Sequence, residues 1–147
     1  MVIKKVNAFD IRKIRHRNLR QGKPFSTTAY KKDNEKKTFH LACIHNNITI
    51  SCATFYPENN KFFPNEKSYR LRGMATDTEY RKRGIGRKLI ERVIKRARDE
   101  DKLHVILQVD SNKSYLVNFY RRLGFNTYMK GIDPYSKNLT EIMFLGL

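Results

Sequence analysis

Residues 67–109 join four patterns in an order that few folds accommodate. KSYRLRGMAT alternates like a strand, and TDTEYRKRGIG is a basic turn with two glycines. An amphipathic helical pattern follows, and KLHVILQV is then the near-continuous apolar run of a buried strand. Because the apolar stripe of such a helix must pack on a sheet, this order predicts an α/β fold. The stripe consists of Ile85, Leu89, Ile90, Val93, Ile94 and Ala97.

The chain before this stretch predicts a strand, a helix and a hairpin. VIKKV reads as a strand, and IRKIRHRNLR as a helix with Asp10 as its N-cap. Residues 21–37 carry the punctuation of an irregular loop that has room for a helical turn. TFHLACIH and ITISCATFYP are expected to form an antiparallel hairpin over Asn46 and Asn47, which tolerate the positive φ of a tight turn.

The chain after this stretch predicts one helix and two strands. A helix runs from Asn112 to Leu123 and stops at Gly124, and FNTYMK and TEIMFLGL are strands. The element order is β-α-β-β-β-α-β-α-β-β. We expect a mixed α/β (α+β) fold, a central twisted sheet of about six to seven strands flanked by helices, in a single domain over residues 1–147.

The net charge and the cysteine content limit the classes of function that this sequence suits. With 31 Lys and Arg against 14 Asp and Glu, the formal net charge is +17, which favours polyanionic partners such as nucleic acid or a phosphate-rich cofactor. No signal peptide or membrane-length apolar stretch occurs, so we expect cytoplasmic residence. Cys43 and Cys52 lack CxxC spacing and are expected to be buried free thiols, with no metal site.

The basic turn Arg81–Gly86 lies where a strand gives way to a helix. The first turn of a helix carries unpaired N–H donors, and glycines let backbone approach a phosphate closely. Flanking Arg and Lys side chains add charge that a pyrophosphate would meet. The turn matches neither a P-loop nor the dinucleotide-binding fingerprint. The alternative is an ordinary basic turn whose glycines only terminate the neighbouring elements.

Residues 68 to 128 resemble the acetyl-coenzyme A motifs of the GCN5-related N-acetyltransferase (GNAT) family, through RGMATDTEYRKRGIGRKLIERVI and NFYRRLGF. The first segment includes the signature Arg/Gln-x-x-Gly-x-Gly/Ala. The resemblance implies that backbone amides of the turn hold the pyrophosphate, and that the preceding strand pairs with the pantetheine arm like an added β-strand. The residues it implies for acetyl-coenzyme A are Met74, Ala75, Thr76, Arg81, Lys82, Arg83, Gly84, Ile85, Gly86 and Arg87.

The same resemblance implies a catalytic tyrosine. Tyr120 matches the residue that family members place beside the coenzyme sulfur, where a protonated phenol can act as a general acid. The alternative is an amphipathic tyrosine at the edge of the core. The match departs from the usual pattern at Leu116, where a small residue is common. Candidates for removing the amine proton are His40, Asp77 and Glu79, none of which stands out.

The acceptor is expected to be a primary amine of a small molecule or a protein. We hypothesise that Arg72, Arg17 and Arg20 bind an acceptor carboxylate and that His40 lines the acceptor cleft; the alternatives are solvated arginines and a structural histidine. Residues 15–25 and 131–144 resemble an uncharacterised bacterial subgroup of the family. The rival function is a basic RNA- or ribosome-associated protein without catalysis. Monomer and homodimer both remain open.

Overall fold

The computed structural model describes all residues from Met1 to Leu147, and its main elements occur in the expected order. Three short 3-10 helices, Ala8–Ile11, Phe25–Thr28 and Thr78–Tyr80, are additional to that order. The strands and helices are β1 Val2–Val6, α1 Arg12–Leu19, β2 Phe39–His45, β3 Ile48–Glu58, β4 Ser68–Thr76, α2 Ile85–Asp99, β5 His104–Asp110, α3 Ser114–Arg122, β6 Asn126–Ile132 and β7 Leu139–Gly146.

The strands form a seven-stranded sheet in the order β1-β2-β3-β4-β5-β7-β6. β4 and β5 are parallel, whereas β1 with β2, β2 with β3, β5 with β7 and β6 with β7 are antiparallel. The sheet is therefore mixed, which confirms the α/β class and the upper end of the expected strand number. None of the helices is long and apolar enough to cross a membrane.

Contacts within the chain concentrate in two compact units. The first unit consists of Met1–Pro57 and Leu71–Lys95, and the second of Glu58–Arg70 and Arg96–Leu147. The single domain over residues 1–147 stays a prediction.

The core of the first unit surrounds α1 and the beginning of α2. Ile11, Ile14, Ala42, Cys52 and Ala75 form one buried cluster. Both cysteines are free and buried, as expected. Burial raises the pKa of Cys52 to about 12, so its thiol stays protonated and unreactive at neutral pH. A second cluster contains Cys43, Ile50 and Ile85.

Two turns of the first unit test the sequence-based expectations. Asn46 and Asn47, at φ 50° and 62°, form the two-residue connection between β2 and β3 and confirm the hairpin. The prediction that Asp10 caps α1 is wrong. Its carboxylate accepts the backbone N–H of Asn7 at 3.1 Å, so Asp10 closes the first turn of a 3-10 helix that starts at Ala8. α1 consequently begins only at Arg12.

The second unit contains β5, β7, which pairs with β5 antiparallel, and β6, which pairs with β7 antiparallel. Residues 105–107 of β5 are buried, as the apolar run predicts. Parallel pairing with β4 covers Ser68, Tyr69 and Arg70. α3 begins at Ser114, two residues later than expected, because Asp110 accepts the Asn112 N–H in a turn at 2.9 Å. Gly124, at φ 102°, ends this helix as predicted.

Candidate active site

The glycine turn before α2 is shaped by two left-handed residues. Lys82 has φ 61° and Gly84 has φ 77°. Left-handed residues in a turn let consecutive backbone N–H groups converge on one side, which creates a concavity for an anion. A Cβ at Gly84 would meet no atom within 4 Å, so the surface of the turn is open at this position. A bulky or acidic side chain at Gly84 would occupy this open space.

The N-terminus of α2 adds further donors. The first helical hydrogen bond runs from the Lys88 N–H to the Gly84 carbonyl at 3.1 Å. The N–H groups of Ile85, Gly86 and Arg87 precede it and have no acceptor within the helix. They carry the positive end of the dipole of a 15-residue helix. Arg81, Lys82 and Arg83 are exposed in the same turn, so the residues present fit a pyrophosphate.

An ion pair between Arg17 and Asp77 fixes the segment that leads from β4 into this turn. Asp77 follows β4, and its carboxylate accepts hydrogen bonds from Arg17 at 2.7 and 2.8 Å and from the Asn18 amide at 2.7 Å. Arg81 in turn donates from Nε to the Thr76 carbonyl at 2.9 Å and from Nη2 to Asn18 Oδ1 at 3.3 Å. Helix α1 therefore fixes both ends of the 77–81 segment. Burial raises the pKa of Asp77, but the Arg17 and Asn18 hydrogen bonds outweigh it and leave that pKa below its usual value.

The end of β4 is supported from β3. The Ser51 hydroxyl donates to the Ala75 carbonyl at 3.0 Å and lies 2.8 Å from the Thr76 hydroxyl. Gly73 has φ 58°, and a Cβ there would lie 2.8 Å from Tyr30 Cε2. The strand thus distorts next to the residues for which pantetheine pairing is predicted, Met74, Ala75 and Thr76.

The three arginines predicted to bind the acceptor separate into two groups. Arg17 is engaged with Asp77 and with the Thr49 carbonyl, at 2.6 Å. Arg72 and Arg20 instead lie beside one aromatic ring, with their guanidinium carbons 5.1 and 5.5 Å from the centroid of Tyr30. The structure brings Arg72 and Arg20 together and places Arg17 in the support of the glycine turn.

His40 belongs to a buried polar network. Its Nε2 lies 3.0 Å from the Asp33 carbonyl, which only accepts, so Nε2 carries the proton. Burial lowers the pKa of His40 and favours the neutral ring, whose Nδ1 then accepts from the Thr54 hydroxyl at 2.7 Å. Both ring nitrogens are engaged within the protein. This geometry favours the structural role that a lone strand histidine usually has.

The centre of that network is Arg15, which is fully buried. Its guanidinium forms a bidentate pair with Asp33, at 2.6 and 3.0 Å, and donates to the Thr28 carbonyl and the Thr54 hydroxyl. Sequence reasoning missed Arg15 and Asp33. Arg15 follows Ile11 by four residues, on the apolar face of the helix, and this spacing was the signal that could have revealed it. Nothing in the polar loop pattern singled out Asp33 or Tyr30.

Tyr120 lies in α3 of the second unit. Its side chain is buried, and its ring forms edge contacts with Phe119 and Phe125 at centroid distances of 5.2 and 5.7 Å. Burial raises the pKa of Tyr120, which keeps the phenol protonated at neutral pH. A protonated phenol can donate a proton and cannot serve as a base, which is the state that the predicted acid requires.

Comparisons with known proteins find a related sequence. An N-acetyltransferase of Bacillus subtilis (strain 168), YitI, which is uncharacterised, is 36% identical over 89 residues. Those residues are 60% of this chain and 60% of the relative, so the chain matches less than two thirds of the relative's length.

Solved structures share the fold. The ribosomal-protein-S18-alanine N-acetyltransferase of Escherichia coli superposes with a TM-score of 0.79 at 18% identity, covering 99% of this chain and 92% of that one. A GNAT family acetyltransferase of Elizabethkingia anophelis, solved with acetyl-CoA bound, gives 0.75 at 13% identity, covering 99% and 97%. The model of the acetyltransferase (GNAT) family matches residues 8–125, and the chain belongs to that family.

Proposed function

We propose that this protein is an N-acetyltransferase that moves an acetyl group from acetyl-coenzyme A to a primary amine. The observation that carries the proposal is the open glycine turn at the start of α2, in a chain of the GNAT family. The structural relative from Elizabethkingia anophelis, which binds acetyl-CoA, supports the same donor. The rival function, RNA or ribosome binding without catalysis, receives no support from these matches. Cytoplasmic residence is part of the proposal.

The cofactor-binding residues follow from the family signature and the geometry of the first unit. The backbone from Arg81 to Arg87 would hold the pyrophosphate through the N–H groups that have no acceptor within the helix. The backbone of Met74, Ala75 and Thr76 would pair with the pantetheine arm as an added strand. The N–H of Met74 or Ala75 would then donate to the thioester carbonyl oxygen as negative charge develops there.

When bound, acetyl-coenzyme A supplies a thioester carbonyl carbon that a neutral amine can attack. A bond forms between the amine nitrogen and this carbon as the bond from carbon to sulfur breaks. The amine releases one proton to solvent, and the Tyr120 phenol gives one to the departing sulfur and recovers it from solvent. The products are the N-acetylated amine and the free thiol. Because burial raises its pKa, the Tyr120 phenol is protonated at neutral pH, which is the form that this role requires.

None of the three candidates for a general base is a good acceptor for the amine proton. Asp77 has its carboxylate engaged by Arg17 and Asn18 and a lowered pKa, which makes it a poor proton acceptor. The lone pair of His40 Nδ1 is taken by Thr54. Glu79 is exposed on a 3-10 turn. We therefore propose that the amine loses its proton to water.

Calorimetry with acetyl-coenzyme A tests the function, using two matched glycine variants. Gly84→Glu places an acidic side chain in the open turn and should weaken binding at least about 100-fold, since it removes space for the pyrophosphate and repels it. Gly22→Glu is the control, because Gly22 has φ 74° against 77° at Gly84, is equally exposed and likewise has no neighbour within 4 Å. Both changes carry the same backbone strain and charge. Equal binding by the two variants, or no binding by the wild type, would refute the proposal.

A further inference from the structure

A small cavity of the first unit adjoins the strand proposed to bind pantetheine. Its volume is about 120 Å³. A drug-sized ligand site is usually about 300 Å³ or more, so this cavity admits a small head group and not a sugar ring. Arg72, which lines it, precedes Met74 by two residues of β4. The lining residues are Tyr30, Lys31, Lys32, Asp33, Thr54, Tyr56 and Arg72.

The charge of this cavity is not balanced by the protein. Three lining residues, Lys31, Lys32 and Arg72, are cations. The one lining carboxylate, Asp33, is neutralised by Arg15 and also accepts the Tyr30 backbone N–H at 2.8 Å. No carboxylate of the protein forms an ion pair with any of the three cations. The cavity therefore presents a net positive potential to a ligand.

The aromatic rings of the cavity already carry cations. The guanidinium carbon of Arg15 lies 3.8 Å from the Tyr30 centroid, closer than those of Arg72 and Arg20. The Lys32 ammonium lies 4.8 Å from the centroid of Tyr56. Protein cations therefore already lie beside both rings, and they would repel the ammonium group of a substrate.

We propose that this cavity binds a carboxylate of the acceptor, so that the enzyme acetylates small primary amines bearing an acidic group and discriminates against diamines and polyamines. This inference rests on the proposed transferase function. Arg72 and Lys32 would hold the carboxylate, and Tyr30 would keep the Arg72 guanidinium in place. Arg72 and Met74 are only two residues apart on β4, which suits an amine a few carbon atoms from its carboxylate.

The same positive potential would assist the chemistry. Cations near an ammonium disfavour its charged form, so a bound acceptor would release its proton to water more readily than in solution. The proton goes to solvent, and the neutral amine remains to attack the thioester. This accounts for a site in which no carboxylate is poised as a base.

Matched substrates that differ in one terminal group test the proposal. We would measure kcat/KM for thiol release with 4-aminobutyrate, 4-aminobutanamide and 1,4-diaminobutane, and with the corresponding five-carbon set. The acid should be preferred over its amide by about 10-fold or more, the size of one charge-assisted hydrogen bond. The preference should shrink as ionic strength rises from about 0.05 M to about 0.5 M. The diamine should be the poorest substrate of each set.

Variants then assign the preference to the cavity. Arg72→Gln should reduce the ratio of acid to amide to about 3-fold or less, and Arg72→Lys should restore part of it. Arg92→Gln is the control, since Arg92 is an exposed residue of α2 outside the cavity and should leave the ratio unchanged. Because the acid-to-amide ratio of each variant is compared with the ratio of the wild type, differences in the intrinsic reactivity of the amines cancel.

Calorimetry with acetyl-coenzyme A on the same preparations separates the two proposals. Absence of coenzyme binding by the wild type would refute the transferase function and this inference with it. Normal coenzyme binding with amides or diamines acetylated as well as the acids would overturn the inference alone. So would turnover of none of the six amines, or an acid preference that survives in Arg72→Gln.

Discussion

The contribution of the Asp77 ion pair to stability can be measured by removing its charge. Asp77→Asn keeps the shape of the side chain but removes its charge and one of its two acceptor oxygens. The carboxylate accepts two bonds from Arg17 and one from Asn18. The Asp77 side chain is 15% exposed and that of Arg17 40%, so solvent screens the pair only in part. We expect a loss of about 1.5–2 kcal/mol in the free energy of unfolding at pH 7.

Thermal and urea unfolding would check this value against an exposed pair. A loss of that size lowers Tm by about 5 °C in a chain of this length. Glu91→Gln is the control, because Glu91 and Arg87 pair across one turn of α2 with 55% and 64% exposed side chains. That variant should lose about 0.3–0.5 kcal/mol. An Asp77→Asn loss no larger than the control's would refute the reasoning.

The pH dependence gives an independent check. The folded-state pKa of Asp77 lies below its ordinary value of 3.8, so folding favours its ionised form. The contribution is fully present above the unfolded pKa and is lost as pH falls through the folded pKa. Since asparagine does not titrate, the gap between wild type and Asp77→Asn should be constant at neutral pH and narrow below about pH 4. A gap that widens on acidification would contradict the assigned ion pair.

Two further substitutions probe the proposed acid and the distorted strand. Tyr120→Phe should lower kcat about 100-fold at neutral pH while leaving acetyl-coenzyme A binding intact, because only the proton donor is lost; an unchanged kcat in steady-state assays would exclude the acid role. Gly73→Ala should destabilise the protein by about 2–3 kcal/mol in urea unfolding, because it adds a left-handed residue and a contact of 2.8 Å with Tyr30. Gly22→Ala, with the same strain and no contact, should lose only about 1 kcal/mol, and equal losses would show that the Tyr30 contact carries no cost.

Periodic and local signals carried most of the fold prediction. The stripe of α2 and the apolar run of β5 depend on residue spacing alone, and the Asn46-Asn47 turn depends on two residues that tolerate positive φ. The start of α1 was misplaced because the capping carboxylate of Asp10 serves a 3-10 turn that looks the same in sequence. Pattern cannot distinguish the two helix types at their first turn.

The sequence predicted the part of the candidate site that consists of a local backbone turn. It did not predict the part that depends on side-chain pairs between distant positions. The turn from Arg81 to Gly86 is a local segment, and its glycines predicted it. Arg17 and Asp77 are sixty positions apart, so no local pattern revealed that they pair. The same holds for Arg15 and Asp33, whose contact closes the loop after α1. Side-chain charge predicted which residues could bind an anion, but only their partners determine which are available.

Arg15 anchors the loop that follows α1, and it constrains some residues of that loop more than others. The Asp33 carboxylate pairs with a buried guanidinium, so a change at Asp33 leaves a charge without its partner. Thr28 accepts from the same guanidinium through its backbone carbonyl, which a side-chain substitution does not remove. Lys31 and Lys32 form no hydrogen bond to that group and face the cavity. Natural variation could therefore alter these two positions and redirect the choice of acceptor without unfolding the loop that presents them. Relatives with different acceptors would then be expected to diverge here while retaining the arginine beneath.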